Sequence, residues 1–347
     1  MRVLIIGGTA FVGPFVARQL HAQGHRVTLF HRGRTAADLP AGVAHLHGDR
    51  ARLADHAAAF RHLAPDVVLD MFPATEAMAS AVVAAFGGLA GRLVAISSID
   101  VYRAYDRLRG ADPGPPDPVP LTEKSPLRER LFPYRDGPPP LADDPLGRGT
   151  DYDKLPVEQA VLGAPGLPGT ILRLPMVYGP GDYQHRLFPY LKRMDDGRPA
   201  ILLDARRAGW RGARGYAENV AAAIALAVVD GRAAGRVYNV AEPDTLTERD
   251  WVRQIGEAAD WRGAIVALPP DQLPPTLRMG DDPAQDWVVS SARIRRELGY
   301  AEPVPRDTGL RRAVAWVRAH PPARYDPAAF DYAAEDAALA AAPPQGD

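Results

Sequence analysis

Residues 1–24 constrain this chain more than any other segment. Val3-Leu4-Ile5-Ile6 is a short, wholly apolar run ended by Gly7-Gly8, and Phe11, Val12, Phe15, Val16 and Leu20 then recur at helical spacing up to Gly24. The first pattern predicts a buried parallel strand and the second an amphipathic helix. A strand feeding a helix through a glycine-rich turn commits the chain to a parallel α/β sheet. Gly7 permits the tight turn, and Gly13 lets the helix pack closely on the sheet. The amides of the first helical turn then face the loop, where a pyrophosphate can be held. The expected cradle is Gly7, Thr9, Ala10, Phe11, Val12 and Gly13, with Ala10 in the middle of the Gly-x-x-Gly-x-x-Gly spacing. In its strand-to-helix context this loop predicts dinucleotide binding.

The strand signal repeats at Val27–Phe30, Val43–Leu46, Val67–Leu69 and Leu93–Ile96, with Ala-rich helical stretches between. Further on, Lys154–Leu162 and Ala217–Val229 read as helices, and Thr170–Leu174 and Val237–Val240 as strands. The expectation is an α/β chain with a Rossmann-type, doubly wound parallel sheet and a smaller C-terminal substrate lobe. Residues 1–175 and 212–242 are assigned to the sheet, and 176–211 and 243–320 to the lobe. Residues 103–150, rich in Pro and Gly, read as an insertion: a lid over a ligand or a plain surface excursion. Residues 321–347, rich in Ala, Pro and Asp, read as a loosely held tail.

Composition closes several doors. There are no cysteines, so disulfides, thiolate metal sites and a cysteine nucleophile are excluded. The formal net charge of −1 supplies no field for nucleic acid. The longest apolar stretches, such as Ala221–Val229, fall short of the roughly 18 residues that span a bilayer. Met1-Arg2 runs straight into a strand without a signal-peptide pattern, and a cytoplasmic location is expected. No His/Asp/Glu cluster shows metal-ligand spacing, and no Gly-x-Ser-x-Gly segment supports a hydrolase triad. Basic residues are almost all arginine, lysine occurring only as Lys124, Lys154 and Lys192.

The second strand ends Phe30-His31-Arg32-Gly33-Arg34. An NAD site usually places an acid about 20 residues past the glycines, to hold the ribose hydroxyls. Here there is none, and Arg32 and Arg34 suit a 2′-phosphate. NADP(H) is therefore expected in preference to NAD(H).

An ordered series of motifs resembles the extended short-chain dehydrogenases/reductases, the NAD-dependent epimerase/dehydratase family, over roughly residues 1–310. Gly-Gly-Thr-x-Phe-Val-Gly looks most like an atypical branch that includes chloroplast stem-loop-binding proteins. His47-Gly48-Asp49-Arg50 resembles the turn after the third strand, implying that Asp49 and Arg50 meet the adenine. Ser97-Ser98-Ile99-Asp100-Val101-Tyr102 resembles the Ser-Ser-x-x-Val-Tyr segment. Arg173-Leu174-Pro175-Met176-Val177-Tyr178-Gly179-Pro180-Gly181 resembles the segment lining the nicotinamide, which implicates Pro175 and Val177. Gly215–Ala221 and Val237–Val240 complete the series.

The resemblance implies a serine, a tyrosine and a lysine as the chemical group. The tyrosine exchanges a proton with a substrate oxygen, the lysine lowers its pKa and holds the ribose, and the serine orients the substrate. Ser98 and Lys154 match. The family's tyrosine, four residues before the lysine, is here Thr150, and the nearest tyrosine is Tyr152. On a regular helix residues two apart point roughly 200° around from each other. Pro156, however, belongs in a first helical turn, which places residues 150–153 at or before the helix start, with Asp151 or Asp153 as N-cap. Three readings stay open: Tyr152 is a displaced acid/base, another group serves, or redox turnover is lost. The family often has Asn where Met176 stands.

Tyr102, Tyr178, Arg186 and Arg214 are the candidate substrate contacts; Arg211 is another arginine that could meet an anion. The expected function is an NAD(P)-dependent oxidoreductase or epimerase acting on a hydroxyl- or carbonyl-bearing small molecule, a sugar nucleotide or a secondary metabolite. The alternative is a dinucleotide-binding protein without turnover, RNA-binding or regulatory. A small-molecule substrate is the expected partner and a second copy of the chain an admitted one; nucleic acid and membrane are not expected.

Overall fold

The computed structural model describes residues 1–35, 37–135 and 151–342. The first apolar run forms β1 (Arg2–Ile6), and the glycines lead into α1 (Val12–Ala22). There follow β2 (Arg26–His31), β3 (Ala44–His47), α2 (Ala57–Leu63), β4 (Val67–Asp70), α3 (Glu76–Phe86), β5 (Arg92–Ser98) and α4 (Arg103–Leu108). Next come α5 (Lys154–Leu162), β6 (Gly169–Leu174), β7 (Met176–Tyr178), α6 (Phe188–Asp195), β8 (Ala200–Asp204) and α7 (Ala205–Ala208). β9 (Arg214–Tyr216), α8 (Ala217–Val229), β10 (Val237–Asn239), α9 (Glu248–Ala258) and β11 (Ala264–Leu268) lead to α10 (Ala292–Leu298), α11 (Arg306–Ala319) and α12 (Tyr332–Ala341).

Seven of the strands form one sheet in the order β10-β6-β5-β4-β1-β2-β3, every neighbouring pair parallel. Alternation along each strand sends successive side chains to opposite faces. Ile5, Leu29 and Leu69 pack under α1 and α8, with Val16, Leu20 and Ile224. Leu4, Val68 and Leu93 face α3 and α5, with Val82, Phe86, Val157 and Val161. With helices on both faces, the inner strands β1, β4 and β5 are buried almost throughout and read as near-continuous apolar runs, whereas the edge strand β3 leaves Ala44, His45 and His47 exposed. The order turns back between β1 and β4, and the C-terminal ends of those strands open the crevice in which such sheets bind ligands.

The chain leaves this sheet after β6, returns through α8 and β10, and leaves again. The excursions form a smaller lobe in which β8 pairs with β11 and β7 with β9. Its core joins Leu191 and Met194 of α6, Ile201 of β8, Trp251 and Ile255 of α9 and Val314 of α11.

Two expectations need correction. The tail is not loose through residue 342, because α12 docks on the small lobe. Leu339 packs beside Leu202 and Val266, and buried Glu335 accepts from Arg193 Nη2 at 2.6 Å. Asp331 caps α12 by accepting from the Ala334 amide. Nor are residues 103–135 a structureless excursion. They include α4, and backbone bridges join Tyr102 to Leu127 and Leu121 to Val289. The Arg128 side chain is fully buried against Asp153. Residues 136–150, the remainder of the candidate lid and including Thr150, lie outside the described residues. Among the described residues no helix is long and apolar enough to cross a membrane.

Candidate dinucleotide site and active site

Gly7 and Gly8 both adopt positive φ, 85° and 83°, a region that side chains disfavour. The Gly7 amide donates to Phe30 O at 2.9 Å and so ties the turn to β2. A Cβ on Gly13 would land on the Gly8 backbone, so the helix can approach the loop only without one. Phe11 stands at the N-cap of α1 with φ 51° and makes no side-chain cap bond. No side chain caps the first amides of α1; the Gly13 amide donates to Ala10 O at 3.0 Å, which leaves the neighbouring amides to face an anion. Thr9 and Phe11 are half-buried and Ala10 exposed, whereas Val12 is part of the core and offers the loop only its backbone. The Phe11 ring meets Tyr183 edge-on at 5.8 Å, and Gly181 sits against the Phe11 backbone. These features fit a dinucleotide pyrophosphate.

At the other end of the crevice stands Lys154, the first residue of α5, 2% exposed. Its Nζ donates to Pro73 O at 2.6 Å and Ile96 O at 3.1 Å, just past β4 and within β5. Burial lowers its pKa to about 8, with the carboxylates of Asp100 and Asp70 pulling the other way. Asp153 is the N-cap, its backbone extended and its Oδ1 accepting from the Leu155 amide. Tyr152 therefore precedes the helix, and the helical angle that would separate it from Lys154 does not apply. Its ring centroid lies 5.4 Å from the Lys154 Nζ, with Phe72 on the same ammonium at 5.0 Å. Ser98, half-buried at the tip of β5, accepts from the Asp100 amide at 3.3 Å and so caps the turn that follows.

Sequence reasoning passed over Asp100 and Tyr134. Asp100 is 1% exposed; its Oδ2 accepts from the Tyr134 hydroxyl at 3.0 Å, and its Oδ1 is buried without a hydrogen-bond partner. Burial raises its pKa. The available signal was an acid between Ile99 and Val101, both apolar. Tyr134 in turn packs edge-on against Tyr152, centroids 5.3 Å apart, which brings the insertion to the active-site end of the crevice.

At the tip of β2, His31 occupies the place where an NAD site would carry its acid. Arg32 and Arg34 beside it are exposed. The Gly33 amide donates to His31 Nδ1 at 3.1 Å, and His31 Nε2 lies 2.8 Å from His45 Nδ1. Burial, then His45 and His47, lower the His31 pKa. Asp49 is exposed and accepts from the Ala51 amide. Arg50 instead turns inward, held by Asp70 at 2.8 and 3.1 Å and by Phe72 O at 2.6 Å. It ties the turn after β3 to the end of β4.

The model of the NAD dependent epimerase/dehydratase family matches residues 3–84. Over that stretch the chain resembles the NAD-dependent epimerase/dehydratase family. It is 29% identical over 266 residues to a 2'-dehydrokanamycin reductase of Streptomyces kanamyceticus, covering 74% of this chain and 66% of that protein. It is 30% identical over 190 residues to a dTDP-glucose 4,6-dehydratase of Streptomyces griseus, covering 51% and 53%. The matches thus span under two thirds of the length of these relatives. The UDP-glucose 4-epimerase of Thermus thermophilus, solved with NAD, shares the fold at TM-score 0.63 and 22% identity, over 92% of this chain and all of that one.

Two of the expected substrate contacts are corrected. Tyr102 is fully buried; its hydroxyl donates to Asn239 Oδ1 at 2.6 Å and accepts from Arg173 at 3.0 Å. Tyr178 is 1% exposed and donates to Glu242 Oε1 at 2.8 Å. Both hydroxyls are satisfied inside the protein, so both residues hold the core together and offer nothing to a substrate. Arg186 is paired with Asp182 at 2.9 Å and donates to Val177 O. Arg214 is paired with Glu248 and lies 4.5 Å over the Trp251 ring; Glu248 also takes Arg207 and Tyr190. Arg211 is exposed and paired with Asp286. Pro175 and Val177 are buried where β6 passes into β7, and Met176 packs beside Trp210 and Met279.

No metal site is expected from the sequence; the β2–β3 register nonetheless gathers His31, His45 and His47 into one cluster.

Proposed function

We propose that this chain is an NAD(P)-dependent oxidoreductase or epimerase, NADP(H)-preferring, that acts on a hydroxyl- or carbonyl-bearing small molecule. The observation that carries the reading is the buried Lys154 ammonium at the mouth of the β4–β5 crevice, with the Tyr152 ring and Ser98 at the same end. The nicotinamide, when bound, donates or accepts a hydride. Lys154 holds the nicotinamide ribose and favours the ionised form of a neighbouring phenol through its charge. Ser98 Oγ orients the substrate oxygen, and Tyr152 exchanges the proton with it. The glycine loop and the start of α1, which no side chain caps, hold the pyrophosphate, while Arg32 and Arg34 pair with a 2′-phosphate. The similarity to a 2'-dehydrokanamycin reductase and a dTDP-glucose 4,6-dehydratase supports a carbonyl-bearing secondary metabolite or a sugar nucleotide as substrate.

Calorimetry with NADP(H) and NAD(H) tests the cofactor. Tighter binding of NADP(H), with its advantage reduced about tenfold or more in an Arg32→Ala/Arg34→Ala variant, is the expected result. Equal or tighter binding of NAD(H) overturns the preference, and saturation by neither overturns the dinucleotide site itself.

A further inference from the structure

β2 and β3 end side by side, and their register sets His31 opposite His47 and Leu29 opposite His45. All three imidazoles therefore rise from one face of the sheet edge, two from a His-x-His pair on β3 and one from its neighbour. The ring centroid of His31 lies 5.0 Å from that of His45 and 4.9 Å from that of His47, and the last two are 6.5 Å apart. One nitrogen of each ring lies within 4.8 Å of the others. Three imidazoles presented from rigid strands, with one coordination position left open to water, are a ligand set of tetrahedral zinc centres.

We propose that His31, His45 and His47 form a binding site for a borderline divalent transition-metal ion of the zinc, cobalt and nickel class. Imidazole nitrogen suits these ions, whereas magnesium and calcium want oxygen, and the cluster contains no carboxylate among the described residues. The strands fix the Cβ positions, so small side-chain rotations bring the nitrogens to the roughly 2.0–2.1 Å bond length of zinc to histidine. Without metal, His31 Nε2 and His45 Nδ1 share one proton across 2.8 Å, and His31 Nδ1 accepts from the Gly33 amide. On binding, that proton passes to His31 Nδ1, both facing nitrogens turn lone pairs to the ion, and the Gly33 amide loses its acceptor. No proton leaves the protein in this exchange, and nothing is oxidised or reduced. Gly33 is exposed at φ 72°, so the turn can shift without disturbing the core. Arg32 and Arg34 on either side shift with it.

The test uses the full chain without an affinity tag, stripped of metal by a chelator. Calorimetric titration with Zn²⁺ is expected to show one equivalent, and Co²⁺ to give visible absorption bands. His45→Ala and His47→Ala, at exposed positions, each weaken zinc by at least about tenfold, and excess Mg²⁺ does not compete. His25→Ala, whose ring instead meets the N-terminal amine, leaves binding unchanged. On the unaltered chain, zinc protects His31, His45 and His47 from diethyl pyrocarbonate but leaves His25 reactive. Lack of a stoichiometric isotherm, an isotherm unchanged in the His45→Ala/His47→Ala double variant, or equal modification with and without zinc overturns the site.

Discussion

Lys154 is the residue on which the proposed chemistry turns, and burial gives it a readable signature. Its ammonium titrates at about 8 where an exposed lysine does so at 10.5. Between those values the folded chain holds fewer protons than the unfolded one, so this group makes stability rise with pH across that window. Under the proposed function, the same loss of charge removes the ribose anchor. Dinucleotide affinity is therefore expected to fall as pH rises through about 8, and Lys154→Met to flatten that dependence, both read by calorimetry between neutral and strongly alkaline pH. Tyr152→Phe separates proton transfer from packing. Its ring contact with Lys154 survives the change, so cofactor affinity should hold while turnover of a carbonyl substrate drops by about a hundredfold or more. Unchanged turnover assigns Tyr152 to packing alone.

Elements differ in how openly the sequence announces them. α5 begins and ends where its pattern predicts, because Asp153 and Pro156 mark its start chemically. The inner strands were legible for a similar reason: with helices on both faces, burial demands apolar residues at nearly every position. α12 was not, since its docking relies on small side chains and one buried acid, and Ala-rich runs look alike whether docked or solvated. Tyr102 and Tyr178 show a second limit. Motif spacing places a residue on a strand end, but partners such as Asn239 and Glu242, distant in sequence, decide which way its hydroxyl points. The histidine cluster shows a third, because only strand register joins residue 31 to residues 45 and 47.

The glycine loop offers the sharpest test at this scale. Gly13→Ala puts a methyl group into the Gly8 backbone, which should force α1 away from the loop. Cofactor affinity is expected to fall at least about tenfold, with a stability loss of about 1–3 kcal/mol measured by chemical denaturation.

Across the whole molecule, the small lobe depends on a late contact. Arg193 on α6 is buried, and Glu335 on α12 supplies its carboxylate. Glu335→Ala leaves that guanidinium buried without its counter-charge, a change that costs about 3–5 kcal/mol when no water can enter. A matching fall in the denaturation midpoint is expected, and a shift below about 1 kcal/mol would show that α12 is an accessory.

The chain's double passage between sheet and lobe bears on how this architecture can be recombined. A small lobe borrowed from a protein of the same topology cannot be grafted as one cassette, because its two stretches are separated by α8 and β10, which belong to the sheet side of the molecule. A chimera with one junction would join half of each lobe core, pairing a foreign β11 with the resident β8. Exchange of specificity between such proteins therefore needs at least two coordinated crossovers, or point changes along the crevice that leave both stretches in place.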